Sequence, residues 1–259
     1  YELYNHVITQ EYGQQQSAMS AKVILLEARE NLLDPYPPRL QRRAVSQLES
    51  LGVEVMLKAV VAEVTPHDVR LVDGRVIPTY TVVWSAGVRG TGIAPLLGVE
   101  LGMAGCIPVT DSLEVKGPSH VYAVGDIAHL PDDDGKPYAK MIPVARQQGI
   151  QAAKNILRAI NGQPGDAFTY RDLGIMATIG RSRAVAWIFN RIQLSGYLAW
   201  FAWLFLHLIA LMGFRNRLSV FINWVWNYLT YDRSVRMILD WHALRPADTL
   251  ADESAPAEE

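Results

Sequence analysis

An alternation of apolar strands with one amphipathic helix in residues 22–87 most constrains the fold. The predicted elements are strands at 22–27, 53–57, 60–64 and 81–85, a helix at 40–51 that Gly52 ends, and a hairpin at 69–77 that turns at Asp73-Gly74. The order strand, helix, strand, meander, strand is typical of a Rossmann-like α/β sheet with a β-meander. No strand with a G-x-G-x-x-G turn precedes the run at 22–27.

Composition and charge narrow the class of protein. The chain has 259 residues, half of them hydrophobic, which favours one large or two medium globular domains. A formal net charge of -2 and the lack of a basic stripe argue against binding to nucleic acid. Cys106 is the only cysteine and the histidines are scattered, so the sequence predicts no internal disulfide and no metal site. Because the chain opens on Tyr1 and shows no signal peptide, we interpret it as a piece of a longer protein.

A second α/β segment follows. We predict short strands at 106–115, a strand at 121–124, a helix at 144–160 and two strands at 175–179 and 184–188. The strand at 121–124 ends in Gly125-Asp126, which would place Asp126 at the carboxyl end of a strand, where α/β sheets bind ligands. A carboxylate there can accept hydrogen bonds from ligand hydroxyls. The alternative is an ordinary strand with an Asp that begins the next turn.

Three further positions are candidate binding residues. Glu27 ends the first predicted strand, where an acid can bind the ribose hydroxyls of NAD. Because Arg29 lies nearby, the sequence does not exclude NADPH as the bound dinucleotide. Ala86 and Gly87 follow an apolar strand and are small enough for a dinucleotide to lie against the backbone. Each also has a structural alternative, a solvated strand end for Glu27 and a common strand-to-loop glycine for Gly87.

Gln147 and Gln148 stand near the start of the predicted helix at 144–160. A helix N-terminus stabilises negative charge, and glutamine amides can bond a flavin's pyrimidine edge or a quinone carbonyl. The alternative is a pair of solvated helix residues.

The last third is apolar and aromatic. Residues 192–214 contain no Asp, Glu, Lys or Arg and would nearly span a bilayer, and six of the seven Trp lie from Trp187 onward. From Ser219, polar residues recur every three or four positions and define one helical face, which favours binding at a membrane surface. Residues 243–259 are acidic and predict a disordered tail.

With these motifs in view, the chain resembles the type II NADH dehydrogenases, single-subunit FAD-containing NADH:quinone oxidoreductases with two dinucleotide-binding domains. The motifs that carry the resemblance are Val23–Glu27, Val83–Val88, Val121–Asp126, Tyr170–Gly174, Ala177–Arg181, Leu194–Trp200, Gly213–Arg217, Asn223-Trp224 and Tyr228–Arg233. The segment from Leu194 onward is the most specific, because many flavoenzymes share the Gly-Asp motif.

The resemblance implies a set of roles. Gly125 and Asp126 would hold the ribityl part of FAD, and Glu27 would recognise the ribose of NADH. The family's Ala-Gln-x-Ala-x-Gln stretch falls on residues 142–147, where Pro143 replaces the first Gln and leaves Gln147 and Gln148 as candidate quinone contacts. Val144 and Ala145 in the same stretch would lie beside the flavin.

The resemblance also implies a domain layout and a location. Residues 1–105 would be part of an NAD(H)-binding domain, 106–190 the C-terminal part of an FAD-binding domain, and 191–242 membrane-associated helices. Since both Gly-rich loops are missing, the chain looks like the C-terminal portion of the enzyme. The family attaches monotopically to the cytoplasmic face of the cell membrane and forms homodimers; hydropathy leaves a single transmembrane helix within 192–214 as an alternative.

Rival functions stay open on the sequence alone. Another flavin-dependent pyridine nucleotide oxidoreductase is one: a sulfide:quinone reductase would be expected to have more cysteines than Cys106, and a soluble ferredoxin reductase would not need the apolar third. A truncated, non-catalytic membrane-associated binding module is the other.

Overall fold

The computed structural model of the chain describes residues 22–132 and 135–230. Its strands are β1 (Val23–Leu26), β2 (Val53–Met56), β3 (Val61–Val64), β4 (Asp68–Leu71), β5 (Val76–Pro78), β6 (Ile107–Pro108), β7 (Ala128–His129), β8 (Gly174–Gly180), β9 (Arg183–Ile188) and β10 (Ile192–Ser195). Its helices are α1 (Pro38–Ser50), α2 (Ile142–Ile160), α3 (Tyr197–Ala210) and α4 (Phe214–Thr230). The described residues divide into two compact units, one formed by residues 22–60 and 175–230 and the other by residues between Val61 and Gly174.

The first unit places helices on both faces of a small sheet. β1 pairs in parallel with β2, and a second sheet has the order β10-β9-β8. Successive side chains of a strand point to opposite faces. Val185 of β9 accordingly packs with Leu40 and Ala44 of α1, whereas Ala184 and Ala186 pack with Ala199 of α3. Helices α1 and α3 therefore cover opposite faces of β9.

The second unit contains the predicted meander. Strands β3, β4 and β5 form an antiparallel sheet in chain order, with a turn at Gly74, whose φ is +89°. A separate apolar core surrounds the segment 107–130; its fully buried members include Val109, Leu113 and Ala94. Asn155 of α2 is also fully buried, and its amide bonds the backbone of Ser112 and Asp166. These bonds attach α2 to the loops on either side of it.

Most of the predicted elements are confirmed. The predicted helices at 40–51 and 144–160 correspond to α1 and α2, and the predicted strands at 175–179 and 184–188 correspond to β8 and β9. The strands at 22–27, 53–57 and 60–64 and the hairpin at 69–77 are present within a residue or two. The predicted short strands at 106–115 are reduced to β6 and a bridge between Val109 and Val115.

The strand predicted at 81–85 is wrong. The segment has no strand neighbour among the described residues, and Val83 and Trp84 are 84% and 64% exposed. A strand persists only where its backbone groups find partners, and an apolar run cannot supply them by itself. Ala86 and Gly87 therefore follow an irregular segment.

The strand predicted at 121–124 is also wrong as a regular strand. Tyr122 makes one isolated bridge to Glu114, and Val121 accepts a hydrogen bond from the N–H of Val115 at 2.7 Å. The facing segment cannot continue the ladder because Leu113 takes a φ of +70°. Asp126 thus lies in a short 3₁₀ turn, Gly125–Ile127, after bridged but irregular backbone.

The apolar run at 192–214 does not form one helix. Its first four residues are β10, Gly196 turns the chain with a φ of +70°, and α3 has only 14 residues. No helix in the described part of the chain is both long and apolar enough to cross a membrane. The polar stripe from Ser219 lies on α4 as far as Thr230. Ser234, the rest of the segment predicted to be helical up to 242, and the tail predicted to be disordered at 243–259 lie outside the described residues.

Candidate functional site

The turn Gly125–Ile127 lies against the start of α2. Gly125 has a φ of +73°, a conformation that glycine adopts without steric cost. A Cβ at this position would come within 3.2 Å of the Cβ of Ala145, the fourth residue of α2. The pair Gly125 and Ala145 therefore allows the turn and the helix to approach closely, which neither residue would permit if it were larger.

Gln148 joins the same helix to the same turn. Its side chain is 2% exposed, and its Oε1 accepts the backbone N–H of Gly125 at 2.7 Å. Pro143 lies in the first turn of α2, where a missing N–H costs nothing, since that N–H would have no partner in the helix. Because its side chain is buried and bonds the Gly125 backbone, Gln148 holds the turn in place and is not a solvated helix residue.

These residues line a small concavity that opens to solvent. Five of the sequence-predicted site residues meet there: Gly125, Asp126, Val144, Ala145 and Gln148. The other lining residues are Ala128, Leu130, Tyr138, Ala139, Lys140 and Met141. The carboxylate-bearing residue, Asp126, is exposed, and the first two turns of α2 form one wall, so the positive end of the helix dipole borders the space.

Cys106 contacts Asp126, and Lys140 lines the same concavity and contacts Cys106; sequence reasoning missed both residues. Nζ of Lys140 donates to the carbonyl of Val88 at 3.1 Å and lies 3.2 Å from Sγ of Cys106. That sulfur is buried and lies 3.5 Å from the carbonyl oxygen of Asp126. Because Lys140 and Cys106 are 34 residues apart, no local pattern could have indicated the contact.

Gln147 bonds a different part of the chain from the one that Gln148 bonds. Its Nε2 donates to the carbonyl of Arg171 at 3.0 Å, and its Oε1 accepts the N–H of the same residue at 3.0 Å. The side-chain amide thus pairs with both the N–H and the C=O of one residue, as a neighbouring strand would. Consecutive helix residues are separated by 100° around the axis, which explains why Gln147 and Gln148 serve different loops.

Tyr170 lies one residue before Arg171 in the loop that Gln147 holds. Its ring meets that of Tyr138 edge-on at 6.1 Å, and Tyr138 lines the concavity. Burial raises the pKa of the Tyr170 hydroxyl, and the negative charge of Asp172 adds to this shift. The hydroxyl oxygen is buried and has no hydrogen-bond partner among the described residues.

Glu27 lies in the other unit, directly after β1. Its backbone N–H donates to the carbonyl of Met56, which extends the β1–β2 pairing, and its carboxylate accepts the N–H of Arg29 at 2.9 Å. The guanidinium of Arg29 binds Asp34 at 2.7 Å. The structure therefore places a half-buried carboxylate at the end of a parallel strand, as the sequence predicted.

Ala86 and Gly87 lie in an exposed loop, and Gly87 has a φ of +94°. They do not line the concavity beside Gly125. The loop is attached by the bond from Lys140 to the carbonyl of Val88 and by the bond from the Gly90 N–H to the carbonyl of Ala104. In the described ranges, no three His, Cys, Asp or Glu residues cluster as a metal site would require.

Comparison with known proteins identifies the family to which the chain belongs. Residues 7–149 match the pyridine nucleotide-disulphide oxidoreductase family, and residues 173–231 match the NDH2 C-terminal domain. The chain belongs to the pyridine nucleotide-disulphide oxidoreductase family and, within it, to the type II NADH dehydrogenases. The family predicted from the sequence is confirmed.

Particular relatives agree with this assignment. The chain is 34% identical over 238 residues to the type II NADH:quinone oxidoreductase Ndh of Mycobacterium tuberculosis, and 35% identical over 220 residues to NdhA of the same organism. These alignments cover 86% and 78% of this chain but 49% and 45% of the relatives. The chain therefore spans about half the length of the curated relatives it matches.

A solved structure supports the fold. NDH2 of Plasmodium falciparum, in complex with NADH, superposes with a TM-score of 0.75 over 90% of this chain and 62% of that one, at 14% sequence identity. At this identity the likeness concerns the fold, and it confirms the predicted α/β flavoprotein architecture.

Proposed function

We propose that the protein containing this chain is a non-proton-pumping, FAD-dependent NADH:quinone oxidoreductase. In this reaction the residues around the Gly125–Asp126 turn would hold the FAD, whose chemistry would carry two electrons from NADH, taken as a hydride, to a membrane quinone. The observation that carries the proposal is the Gly125–Asp126 turn held against the start of α2 by Gln148, in a chain whose two segments match the family and the NDH2 C-terminal domain. The names of the relatives support NADH and quinone as the substrates.

The residues around the concavity fit a bound flavin. Gly125 and Ala145 leave only the Ala145 methyl group between the turn and the helix, and the exposed carboxylate of Asp126 is available to accept hydrogen bonds from a polyol chain. The N-terminal turns of α2 favour partial negative charge beside them. When bound, the flavin supplies the redox chemistry, and the protein supplies binding, orientation and electrostatics.

Each remaining site residue has a proposed task. Glu27 would bind the ribose hydroxyls of NADH, and its charge would repel a 2′-phosphate. Ala86 and Gly87 would give the dinucleotide close access to the backbone, and Val144 and Ala145 would border the flavin. Gln147 and Gln148 would lie beside the flavin and the quinone. Each also has a structural task, since Gln147 bonds Arg171 and Gln148 bonds Gly125.

The domain layout is part of the proposal. Residues 1–105 would contribute to NAD(H) binding, 106–190 to FAD binding, and 191–242 to attachment at the membrane, with 243–259 as a tail. The phosphate-binding loops would be supplied by residues outside this chain. Homodimerisation is a further expectation from the family resemblance.

We also propose attachment to the cytoplasmic face of the cell membrane, without a spanning helix. What supports this is the exposure of large apolar side chains on α3 and α4, including Leu198, Phe201, Phe205, Phe214 and Trp226. Soluble proteins rarely expose so many together, and contiguous apolar patches mark membrane or protein interfaces.

The experiment that tests the proposal uses the full-length gene product. The purified protein should carry a flavin absorbance band that bleaches on anaerobic addition of NADH and recovers on addition of a quinone. A protein without flavin would favour the rival reading, a non-catalytic membrane-associated module. A flavin that NADH reduces but no quinone reoxidises would instead point to another flavin-dependent pyridine nucleotide oxidoreductase.

A further inference from the structure

The loop after β1 carries a cation beside the proposed ribose-binding residue. Arg29 follows Glu27 by two positions, and its backbone N–H donates to the Glu27 carboxylate at 2.9 Å. This bond keeps the backbone of Arg29 next to the carboxylate that we propose binds the ribose of NADH. Arginine suits a phosphate group well, because its planar guanidinium can donate two parallel hydrogen bonds. Arg29 taken by itself would therefore favour NADPH, which carries a 2′-phosphate on this ribose.

The guanidinium of Arg29 is already engaged by another acid. Its Nη1 donates to Oδ2 of Asp34 at 2.7 Å, and both side chains are exposed. A guanidinium that is bound to a carboxylate in this way has its charge offset and one of its donors occupied. Exposed ion pairs contribute little to the free energy of folding. Stability is therefore a weak reason for an acid at position 34, and its effect on Arg29 is the stronger one.

Asp34 is held in position by bonds that do not involve its carboxylate. Nε2 of the buried Gln41 donates to the backbone carbonyl of Asp34 at 3.2 Å. One residue earlier, the carbonyl of Leu33 accepts the N–H of Tyr36 at 2.8 Å. The backbone of the loop thus fixes where the carboxylate stands. Asparagine, which has nearly the same shape, should keep the loop intact at this position while removing the charge.

The second cation of this region is paired in the same manner. The backbone N–H of Lys58 donates to the carbonyl of Arg29 at 2.9 Å, which brings Lys58 to the loop. Its Nζ lies 2.6 Å from a carboxylate oxygen of Glu30. Both cations are thus neutralised by acids, and the charge left over in this group is that of Glu27. A negative group of this kind repels the 2′-phosphate of NADPH.

We propose that Asp34 is a specificity-determining residue, which withholds Arg29 from the 2′-phosphate of NADPH and so favours NADH as the substrate. The inference rests on the proposed function, because it takes Glu27 to bind the ribose of a nicotinamide dinucleotide. NADPH would have to break the ion pair between Arg29 and Asp34, and its phosphate would then face the released carboxylate. NADH carries a hydroxyl at this position and meets neither cost.

The test compares NADH with NADPH, which differ only in the 2′-phosphate, on the full-length protein at low ionic strength. Asp34→Asn releases Arg29, so kcat/KM for NADPH should rise by about five- to tenfold while that for NADH stays within about twofold. Calorimetric dissociation constants for NADP⁺ and NAD⁺ should shift in the same proportion, and they report binding without flavin turnover. The gain for NADPH should shrink as added salt screens these exposed charges.

Two control variants separate the ion pair from charge in general. Asp34→Asn/Arg29→Gln lacks the released guanidinium and should lose the gain for NADPH. Glu49→Gln removes an exposed carboxylate near the end of α1, shortly before β2 begins. Because β1 and β2 are parallel, this carboxylate stands at the opposite edge of the strand pair from Glu27, and the variant should discriminate as the wild type does.

The possible failures can be told apart. An unchanged ratio of NADPH to NADH in Asp34→Asn, or an equal gain in either control variant, would overturn the role of Asp34. The proposed function would stand in that case, since the protein would still oxidise NADH. A wild-type protein that oxidises neither dinucleotide would overturn the proposed function and this inference with it.

Discussion

The side chain of Gln148 and the backbone of Gly125 form one unit, since Oε1 of the buried glutamine accepts the glycine N–H at 2.7 Å across 23 residues of sequence. The bond fixes the turn that carries Asp126 against the helix that carries Ala145. A small shift of α2 would therefore move Asp126 as well. This coupling makes the turn and the helix a single element of the proposed flavin site.

Gly125→Ala should destabilise the protein more than an equivalent change in open space. A non-glycine residue at a φ of +73° costs roughly 1–2 kcal/mol, and the new Cβ would also press on Ala145 at 3.2 Å, which adds about 1 kcal/mol or more. Gly162→Ala is the matched control, because Gly162 has a φ of +70° and open space around it. Urea unfolding of both variants measures the difference; equal losses would contradict close packing at Gly125.

Gln147 and Gln148 should protect different amides from hydrogen exchange. Gln147→Met removes the acceptor of the Arg171 N–H and should speed exchange there by about tenfold, leaving the Gly125 N–H unaffected. Gln148→Met should do the reverse. Site-resolved exchange by NMR or mass spectrometry distinguishes the two. If either variant sped exchange at both amides to the same degree, the separate attachments would be refuted.

Glu27→Gln should raise the Michaelis constant for NADH by about tenfold with a smaller effect on turnover, because it weakens binding of substrate and transition state alike. The substitution keeps an oxygen that can accept the Arg29 N–H, so the loop should hold its shape. Glu30→Gln, which alters an exposed carboxylate paired with Lys58, serves as the control and should change neither constant. An unchanged Michaelis constant in Glu27→Gln would exclude the ribose-binding role.

Stability should fall in strong alkali because of Tyr36. Burial beside Leu40 and Ala44 raises the pKa of its hydroxyl to about 12, above the value near 10 of an unfolded tyrosine. The unfolded state therefore loses its proton first, and the folded state loses stability as pH rises from about 10 towards 12. Tyr36→Phe should lessen this decline in denaturant unfolding followed from pH 9 to 11. A decline of the same slope in both proteins would show that Tyr36 does not contribute.

Helices were predicted well because their signals are local. Apolar spacing and the stop at Gly52 predict α1, and the helix predicted at 144–160 ends at the residue where α2 ends. Strands at 81–85 and 121–124 failed because an apolar run does not show whether a partner lies beside it. The strand β9 was predicted correctly, because residues 184–188 form a continuous apolar run, as expected when helices bury both faces of a strand.

The candidate site likewise contains features that the sequence predicted and features that it could not predict. Gly125, Asp126, Val144, Ala145 and Gln148 were identified from the sequence and lie together around one concavity. The different partners of Gln147 and Gln148 could not be predicted, since they depend on where the loop at Arg171 passes. The contact of Lys140 with Cys106 and Val88 is likewise set by tertiary packing between segments that no short motif connects.

The flavin content of Asp126→Ala in the full-length protein tests the central claim most directly. The control is Asp73→Ala, which removes an exposed carboxylate bonded to Arg75 in the β4–β5 turn. With thermal unfolding confirming that both variants fold, the account predicts a flavin-to-protein ratio well below wild type for Asp126→Ala and a wild-type ratio for Asp73→Ala. A wild-type ratio in Asp126→Ala would contradict the assignment of this turn to a flavin site.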